Sequence, residues 1–275
     1  MAGGKPYWND DIAARYEWMG PPLRPSAEHI QFLHKAITHL ARQGSGPVLK
    51  ALLLGVTPDI VRMRWPENLL LIGMDNSWPM IHALWPGSVP GRRAVVCADW
   101  LVPPLPNGLV DLTVGDGSVN SLRSCDEVHR LAANVRSILR RRGWWFLRCY
   151  VQPSVKEQPQ DVFDAMRRRE ISSCHHFRMR LLMAVQEDVL KGVSLAEVHR
   201  QWAKRDRSLP LPSGLGWEKP AVDLIEFYAG SETTYWFPTL TLLREILHQY
   251  FEEDAIHFSC DELDERCPTL LLRTR

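Results

Sequence analysis

Five short apolar runs alternate with segments of helical spacing, and this alternation is the feature that most constrains the fold. The runs are Val48–Leu54, Leu69–Met74, Ala94–Ala98, Leu109–Val114 and Trp144–Tyr150. Continuous apolar runs of this length are typical of strands buried on both faces, and helices between them are typical of a parallel sheet. The sequence therefore predicts an α/β fold with a doubly wound, mostly parallel sheet.

The segments around these runs predict further elements. Residues 125–141 have a helical apolar stripe that Gly143 would end, so the basic run Arg140–Arg142 is expected at the solvated end of a helix. A short strand is expected at Val222–Tyr228 and a helix from Pro238. Two closing strands, at Ala255–Cys260 and Thr269–Leu272, are expected to pair antiparallel through a polar turn over residues 261–266.

The chain of 275 residues suits one large domain with an insertion. We divide it into four parts: an N-terminal aromatic segment and helix (1–47), a core (48–151), a mainly helical insertion (152–234), and a C-terminal helix with the closing strand pair (235–275). The insertion is more charged than the core and carries the capping pattern Ser194-Leu195-Ala196-Glu197.

Charge and cysteine usage narrow the possible partners. Lys and Arg number 33 and Asp and Glu 32, so the net charge of +1 gives no general attraction to nucleic acid or to an anionic membrane. No apolar run approaches the ~20 residues that cross a bilayer. The six cysteines form no C-x-x-C pair, so we expect no metal site and a reducing cytoplasmic location.

Acidic residues and glycines follow the predicted strands at the point where each strand ends. In order along the chain they are Gly55, Asp75, Asp99 with Trp100, and Asp116 with Gly117. Ligands of doubly wound sheets bind beyond the carboxyl ends of the strands. A carboxylate there can accept the two ribose hydroxyls of an adenosine ligand, and a second can accept the adenine amino group beside an aromatic ring.

Each acid also has a plain structural reading. Asp75 can cap the helix that follows it, and Asp99 can be a turn residue before Pro103 and Pro104. Three acids at three successive strand ends favour a binding site over three separate caps.

These motifs resemble those of class I S-adenosylmethionine-dependent methyltransferases. The matching segments are Leu52–Pro58, Gly73–Ser77, Ala98–Trp100, Asp111–Gly117 and Tyr235–Thr239. The resemblance implies a seven-stranded sheet with an antiparallel last strand and S-adenosyl-L-methionine as cofactor. By position, it implies that Gly55, Val56 and Thr57 face the methionine part of the cofactor, Asp75 and Asn76 the ribose, Asp99 and Trp100 the adenine, and that Asp116 and Gly117 form the floor beside the methyl group.

The first loop departs from the family pattern, because it has Gly55 alone where the family has several glycines. Two alternatives therefore stay open. One is a cofactor-binding or inactive scaffold on the same fold. The other is a nicotinamide-dependent oxidoreductase, although Gly55–Ile60 lacks the second and third glycines of G-x-G-x-x-G.

The methyl acceptor is expected to be a small molecule held under the 152–234 insertion, and no catalytic residue is assigned. Trp8, Trp18 and Trp236 are candidates for an aromatic substrate pocket. Arg24 is a candidate partner for a cofactor carboxylate, with a surface arginine as the alternative. Cys174-His175-His176 attracts attention as a metal site or general base, but adjacent helical residues point in different directions and seldom share one metal.

Overall fold

The computed structural model describes residues 7–43, 48–205, 212–259 and 262–275. The strands are β1 (Leu49–Leu54), β2 (Leu69–Asp75), β3 (Arg93–Cys97), β4 (Val110–Asp116), β5 (Leu139–Arg148), β6 (Val193–Ser194), β7 (Thr234–Tyr235), β8 (Phe251–His257) and β9 (Thr269–Thr274). The α-helices are α1 (Asp10–Ala13), α2 (Ala27–Gln43), α3 (Pro58–Val61), α4 (Trp78–Leu84), α5 (Cys125–Ile138), α6 (Pro159–Arg167), α7 (Cys174–Val185), α8 (Leu195–Lys204), α9 (Lys219–Asp223) and α10 (Leu240–Leu247). None of the helices in these ranges has the length and hydropathy needed to cross a membrane.

Seven strands form the central sheet, in the order β3-β2-β1-β4-β5-β9-β8. Strands β1 to β5 pair parallel, whereas β9 pairs antiparallel with both β5 and β8. This arrangement confirms the predicted fold class, including the antiparallel last strand. The strand order reverses between β1 and β4, and this is the place where doubly wound sheets open a crevice for ligands.

Alternate residues of β1 serve the two faces of the sheet, as the period of a strand requires. Ala51 and Leu53 belong to the core that α2 and α4 cover, together with the N-terminal segment and the helices of the insertion. Leu52 and Leu54 belong to the second core, which α5 and α10 cover. Helices on both faces explain why the strands are continuously apolar in sequence.

The described part of residues 152–234 is mainly helical, and α7 is its central helix. Nearly all of α7 is buried, since it packs against α6, α8 and α9. Ser194 caps α8 by accepting the backbone N–H of Glu197. The two-stranded pair of β6 and β7 joins this helical region to the segment that enters α10.

The prediction for Arg140–Arg142 is wrong in one respect: these residues lie in β5, not at the end of α5. Leu139 pairs with Val110 and the next pair is Trp144 with Leu112, so β5 bulges between them. Arg142 has φ of +63°, and a Cβ on Gly143 would lie 2.9 Å from a carbonyl oxygen. The three arginines are exposed, as expected.

The predicted strand at Val222–Tyr228 is also wrong. Its first residues end α9, and a 3-10 helix follows at Glu226–Tyr228. The buried residues Ala221, Leu224, Ile225 and Tyr228 are spaced by three, one and three, which is a helical period. The first closing strand also begins earlier than predicted, at Phe251, and Cys260 lies outside the described residues.

Candidate functional site

The register of three neighbouring strands brings the predicted site residues to one level. Leu54 of β1 pairs with Met74 of β2 on one side and with Gly115 of β4 on the other. The residues that follow Leu54, Met74 and Gly115 are Gly55, Asp75 and Asp116, respectively. All three therefore leave the carboxyl edge of the sheet side by side.

A cavity of about 250 Å³ opens at this edge. All nine predicted site residues line it: Gly55, Val56, Thr57, Asp75, Asn76, Asp99, Trp100, Asp116 and Gly117. Other segments supply the remaining walls, chiefly Tyr7, Trp8, Tyr16, Met19, Leu23, Ser121, Tyr150, Arg178, Met179, Leu182, Tyr228, Tyr235 and Phe237. Asn76 and Asp99 are exposed, whereas Tyr7, Arg178 and Tyr228 are buried, so the cavity runs from an open mouth to a buried inner end.

Asp75 is held by the backbone at the end of β2. Its Oδ1 accepts the N–H of Ser77 at 2.8 Å, and Ser77 in turn caps α4 by accepting the N–H of Met80. Burial raises the pKa of Asp75 to about 6, while backbone hydrogen bonds from Ser77 and Val56 act in the opposite direction. Ser77, and not Asp75, is thus the N-cap residue of α4, and Asp75 holds Ser77 in place. Its second oxygen faces Gly55, 3.9 Å from where a Cβ at that glycine would lie.

Trp100 and Gly55 form the wall beside Asp75. The indole Nε1 of Trp100 donates to the carbonyl oxygen of Met74 at 2.7 Å, which fixes the plane of the ring. Gly55 has φ of +100°, and a Cβ there would lie 3.8 Å from the Trp100 ring. Asp99, the preceding residue, accepts the N–H of Leu101 and is exposed at the mouth.

In the loop after β1, the N-cap side chain makes no cap hydrogen bond and the acid is paired with an arginine. Thr57 occupies the N-cap position of α3, but its side chain makes no cap hydrogen bond. Asp59 is neutralised by Arg24, with two hydrogen bonds of 2.7 and 3.0 Å. Arg24 is therefore a partly exposed arginine paired with Asp59, and it is not part of the cavity lining. Since α3 has a single turn, we assign no anion site to its N-terminus.

Asp116 is paired, which the sequence did not indicate. Arg148, at the end of β5, donates to Asp116 at 2.7 Å and to the Tyr150 hydroxyl at 2.8 Å. Burial raises the pKa of Asp116, and Arg148 counteracts that shift. The cavity floor is therefore an ion pair, and it is not a third uncompensated acid.

Asn120 fixes the back of the cavity. Its side-chain amide donates to the carbonyl oxygens of Tyr150 and Trp236 at 2.7 and 2.8 Å, and its Oδ1 accepts the N–H of Tyr150. This completely buried amide joins the loop after β4 to β5 and to the segment before α10. We did not predict Asn120, because nothing in the sequence distinguishes a buried turn asparagine from an exposed one.

Arg178 of α7 closes the buried inner end. Its guanidinium donates to the hydroxyl of Tyr228 at 2.6 and 3.1 Å and to that of Tyr7 at 3.2 Å. Tyr235 lies beside them, and burial raises its pKa well above the usual range. These residues were missed because α7 is buried on almost all sides and has no amphipathic stripe to mark a functional face.

The predicted tryptophan pocket is only partly correct. Trp8 lines the cavity, but Trp236 is completely buried and donates to the Val189 carbonyl oxygen, while Trp18 is 36% exposed elsewhere. Tyrosines form most of the aromatic wall instead. Among the described residues no three His, Cys, Asp or Glu side chains are grouped as metal ligands. Cys174 and His175 are buried helical residues, and desolvation lowers the pKa of His175 to about 3.

No protein-family model and no curated protein sequence matches the chain. Solved structures match it at low identity. A Rhodobacter sphaeroides protein with the provisional name Zn-dependent alcohol dehydrogenase is 15% identical over 97% of this chain and 98% of its own, with a TM-score of 0.56. A SAM-dependent methyltransferase from Methanosarcina mazei is 12% identical over 86% and 96%, with a TM-score of 0.51. The CurJ carbon methyltransferase is 10% identical over 95% of this chain and 57% of its own, with a TM-score of 0.53.

At these identities the likeness is one of fold. The expected resemblance to class I methyltransferases is confirmed at that level, since the seven-stranded sheet and its antiparallel strand are those of that fold. One fold can carry several activities, so the activity has to be argued from the cavity itself.

Proposed function

We propose that this protein is an S-adenosylmethionine-dependent methyltransferase that acts on a small molecule. The observation that carries the proposal is the convergence of Gly55, Asp75, Trp100 and Asp116 on one cavity at the strand-order reversal. Three of these positions are fixed by strand register, so their meeting does not depend on the conformation of a long loop.

The residues suit an adenosyl ligand. We assign the ribose hydroxyls to Asp75, because one of its oxygens faces the cavity wall while the other is held by Ser77. Burial disfavours the ionised form of this carboxyl, and two hydroxyl donors would stabilise that form. We assign the adenine to Asp99 and the fixed indole of Trp100. Asn76 at the mouth would lie beside the ribose.

The remaining predicted residues are assigned to the other half of the cofactor. Gly55, Val56 and Thr57 would face its amino acid part, and Asp116 with Gly117 would form the floor under the methyl group. When bound, S-adenosylmethionine supplies an electrophilic methyl group on a sulfonium sulfur. The Asp116 carboxylate would lie beside that group. Its hydrogen bond to Arg148 holds it in place, and the ion pair as a whole has no net charge.

The chain contributes orientation and exclusion of water. Burial raises the pKa values of Tyr7, Tyr16, Tyr150 and Tyr235, so these phenols stay protonated at neutral pH and act as hydrogen-bonding groups. We assign no general base. We propose that the helical insertion of residues 152–234 is the substrate cap, because α7 supplies Arg178, Met179 and Leu182 to the inner wall.

Calorimetric titration with S-adenosylhomocysteine and S-adenosylmethionine tests the proposal, with NADH as the comparison ligand. We expect micromolar or tighter binding of the adenosyl ligands, lost in Asp75→Ala and weakened in Asp99→Ala. Asp126→Ala, an exposed acid in the first turn of α5, is the matched control and should leave binding unchanged. Binding of neither adenosyl ligand would favour the scaffold alternative, and preferential binding of NADH would favour the oxidoreductase.

A further inference from the structure

Arg178 is a buried guanidinium with an unused donor nitrogen at the inner end of the cavity. The residue is 1% exposed and lines the cavity wall. Its Nε and Nη2 donate to the hydroxyls of Tyr228 and Tyr7, as described above. Its Nη1 is sealed from solvent and has no hydrogen-bond partner.

No described carboxylate forms an ion pair with Arg178. Asp116, the buried acid of the cavity lining, is engaged with Arg148. An unpaired charge that is fully removed from water is costly, and buried charges are normally paired. The site therefore lacks one negative charge.

The Tyr7 phenol does not supply that charge. Burial and the neighbouring Tyr228 raise the pKa of Tyr7, so its hydroxyl is neutral. The Tyr228 ring lies 5.0 Å from the guanidinium carbon and provides only a cation–π contact. The two hydroxyls also hydrogen-bond to each other, so one of their two protons is left to donate. Arg178 and the phenols together present unused donors with no matching acceptor.

We propose that Arg178, with Tyr7 and Tyr228, binds a carboxylate group of the methyl acceptor. The acceptor role rests on the proposed function, whereas the carboxylate site does not. A singly charged carboxylate is favoured over a doubly charged anion because the lining residues Met179, Leu182 and Phe237 are apolar and supply no second cation. An acceptor held by its carboxylate at this end extends toward Asp116 and Gly117, where the methyl group would be delivered.

Benzoate and its neutral analogue benzamide test the carboxylate site. Calorimetry is run on the full-length protein with and without saturating S-adenosylhomocysteine. We expect benzoate to bind about tenfold or more tightly than benzamide, because a charge-assisted hydrogen bond is lost with the amide. Arg178→Met should abolish that preference. Arg180→Met is the matched control, because Arg180 lies on the same helix and pairs with Glu157 outside the cavity wall.

A second pair of ligands separates the acceptor from the cofactor. S-adenosylhomocysteine carries an amino acid carboxylate, and 5′-methylthioadenosine lacks it. We expect Arg178→Met to leave the affinity for both within about twofold, a difference of only ~0.4 kcal/mol. A tenfold loss for S-adenosylhomocysteine alone would assign Arg178 to the cofactor and overturn the proposal.

Three further outcomes complete the test. Equal binding of benzoate and benzamide, or no binding of benzoate, acetate or 4-hydroxybenzoate to the wild type, overturns the carboxylate site. Failure of both adenosyl ligands with benzoate selectivity intact would refute the proposed function and leave the site standing. If Arg178→Met does not fold, Arg178→Lys keeps the charge, and we then expect weaker benzoate binding with the preference over benzamide retained.

Discussion

Arg148 and Asp116, the last residues of two neighbouring parallel strands, form an ion pair of 2.7 Å in which the side chains are 5% and 6% exposed. The same guanidinium donates to the carbonyl oxygen of Pro22 at 2.6 Å. The pair therefore connects the cavity floor to the N-terminal segment that forms one of its walls. Its removal affects both stability and the shape of the site.

Arg148→Met should destabilise the protein by about 3–5 kcal/mol, because Asp116 would remain buried without a counter-charge. The loss should shrink as the pH falls, since protonation of Asp116 then removes the unpaired charge. Urea unfolding at pH 7 and pH 5 measures both effects. Arg168→Met, which removes an exposed partner of Glu170, is the control and should change stability far less, because water screens the exposed pair. Equal losses in the two variants would contradict the prediction.

Adenosyl ligand affinity should depend on pH through Asp75. Burial raises the pKa of its carboxyl to about 6, and only the ionised form accepts both ribose hydroxyls. The dissociation constant of S-adenosylhomocysteine should therefore rise about tenfold from pH 7.5 to pH 5. Asp75→Asn should bind weakly with little pH dependence over this range. A wild-type affinity that is constant between these pH values would refute the role of Asp75.

Asp75→Asn should also stabilise the ligand-free protein. The folded pKa of about 6 lies above the usual value of 3.8, so the contribution of this carboxyl to stability is complete below pH 3.8 and is lost as the pH rises through 6. Asparagine keeps an acceptor oxygen for the Ser77 N–H and carries no charge, although its NH2 group cannot accept the Val56 N–H. We expect a gain on the order of 1 kcal/mol at pH 7, after allowance for partial exposure, and little gain at pH 4. A loss of stability at pH 7 would indicate a mainly structural role.

Gly117→Ala should destabilise more than Gly108→Ala, although the two glycines have nearly equal φ values of +63° and +64°. Alanine at either position carries the strain of a left-handed conformation, ~1–2 kcal/mol. At Gly117 the new Cβ would also lie 2.9 Å from the Tyr150 ring, whereas nothing lies within 4 Å at Gly108. Denaturant unfolding should show an additional ~1–3 kcal/mol at Gly117 from this overlap. Equal losses would mean that Tyr150 moves aside without cost.

Trp100→Ala should weaken S-adenosylhomocysteine binding by about tenfold, through loss of the ring that we assign to the adenine. The indole is held by its hydrogen bond to Met74, so it is preorganised for stacking. Trp78→Ala is the matched control, because Trp78 is 63% exposed at the start of α4 and does not line the cavity. Tryptophan fluorescence gives a second readout, since ligand quenching should weaken in Trp100→Ala, where Trp8 still lines the cavity, and persist unchanged in Trp78→Ala.

The sequence predicted the sheet and the carboxyl-edge residues because both depend on local patterns. Apolar runs mark buried strands, and the residue after each run is the residue at the sheet edge. Asp75, for example, is located by nothing more than the end of the run that precedes it. Strand register then brings these residues together without further specification.

The partners of those residues were not predictable in the same way. Arg148 ends an apolar strand and Asn120 lies in a turn, so their roles arise only when distant segments meet. Arg178 lies in a helix with no polar face, and its contacts with Tyr7 and Tyr228 span 171 and 50 positions. The β5 bulge at Arg140–Arg142 was missed for a local reason, because its basic residues continue the charge pattern of α5.

The backbone N–H of Tyr7 donates to the hydroxyl of Thr233, 226 positions away. During synthesis, Thr233 leaves the ribosome 226 positions after Tyr7. Before that point Tyr7 lacks this partner, and the cavity lacks its lining residues Tyr235 and Phe237. A small molecule therefore cannot stabilise a growing chain by binding this complete cavity until Thr233 and the lining residues that follow it have been synthesised.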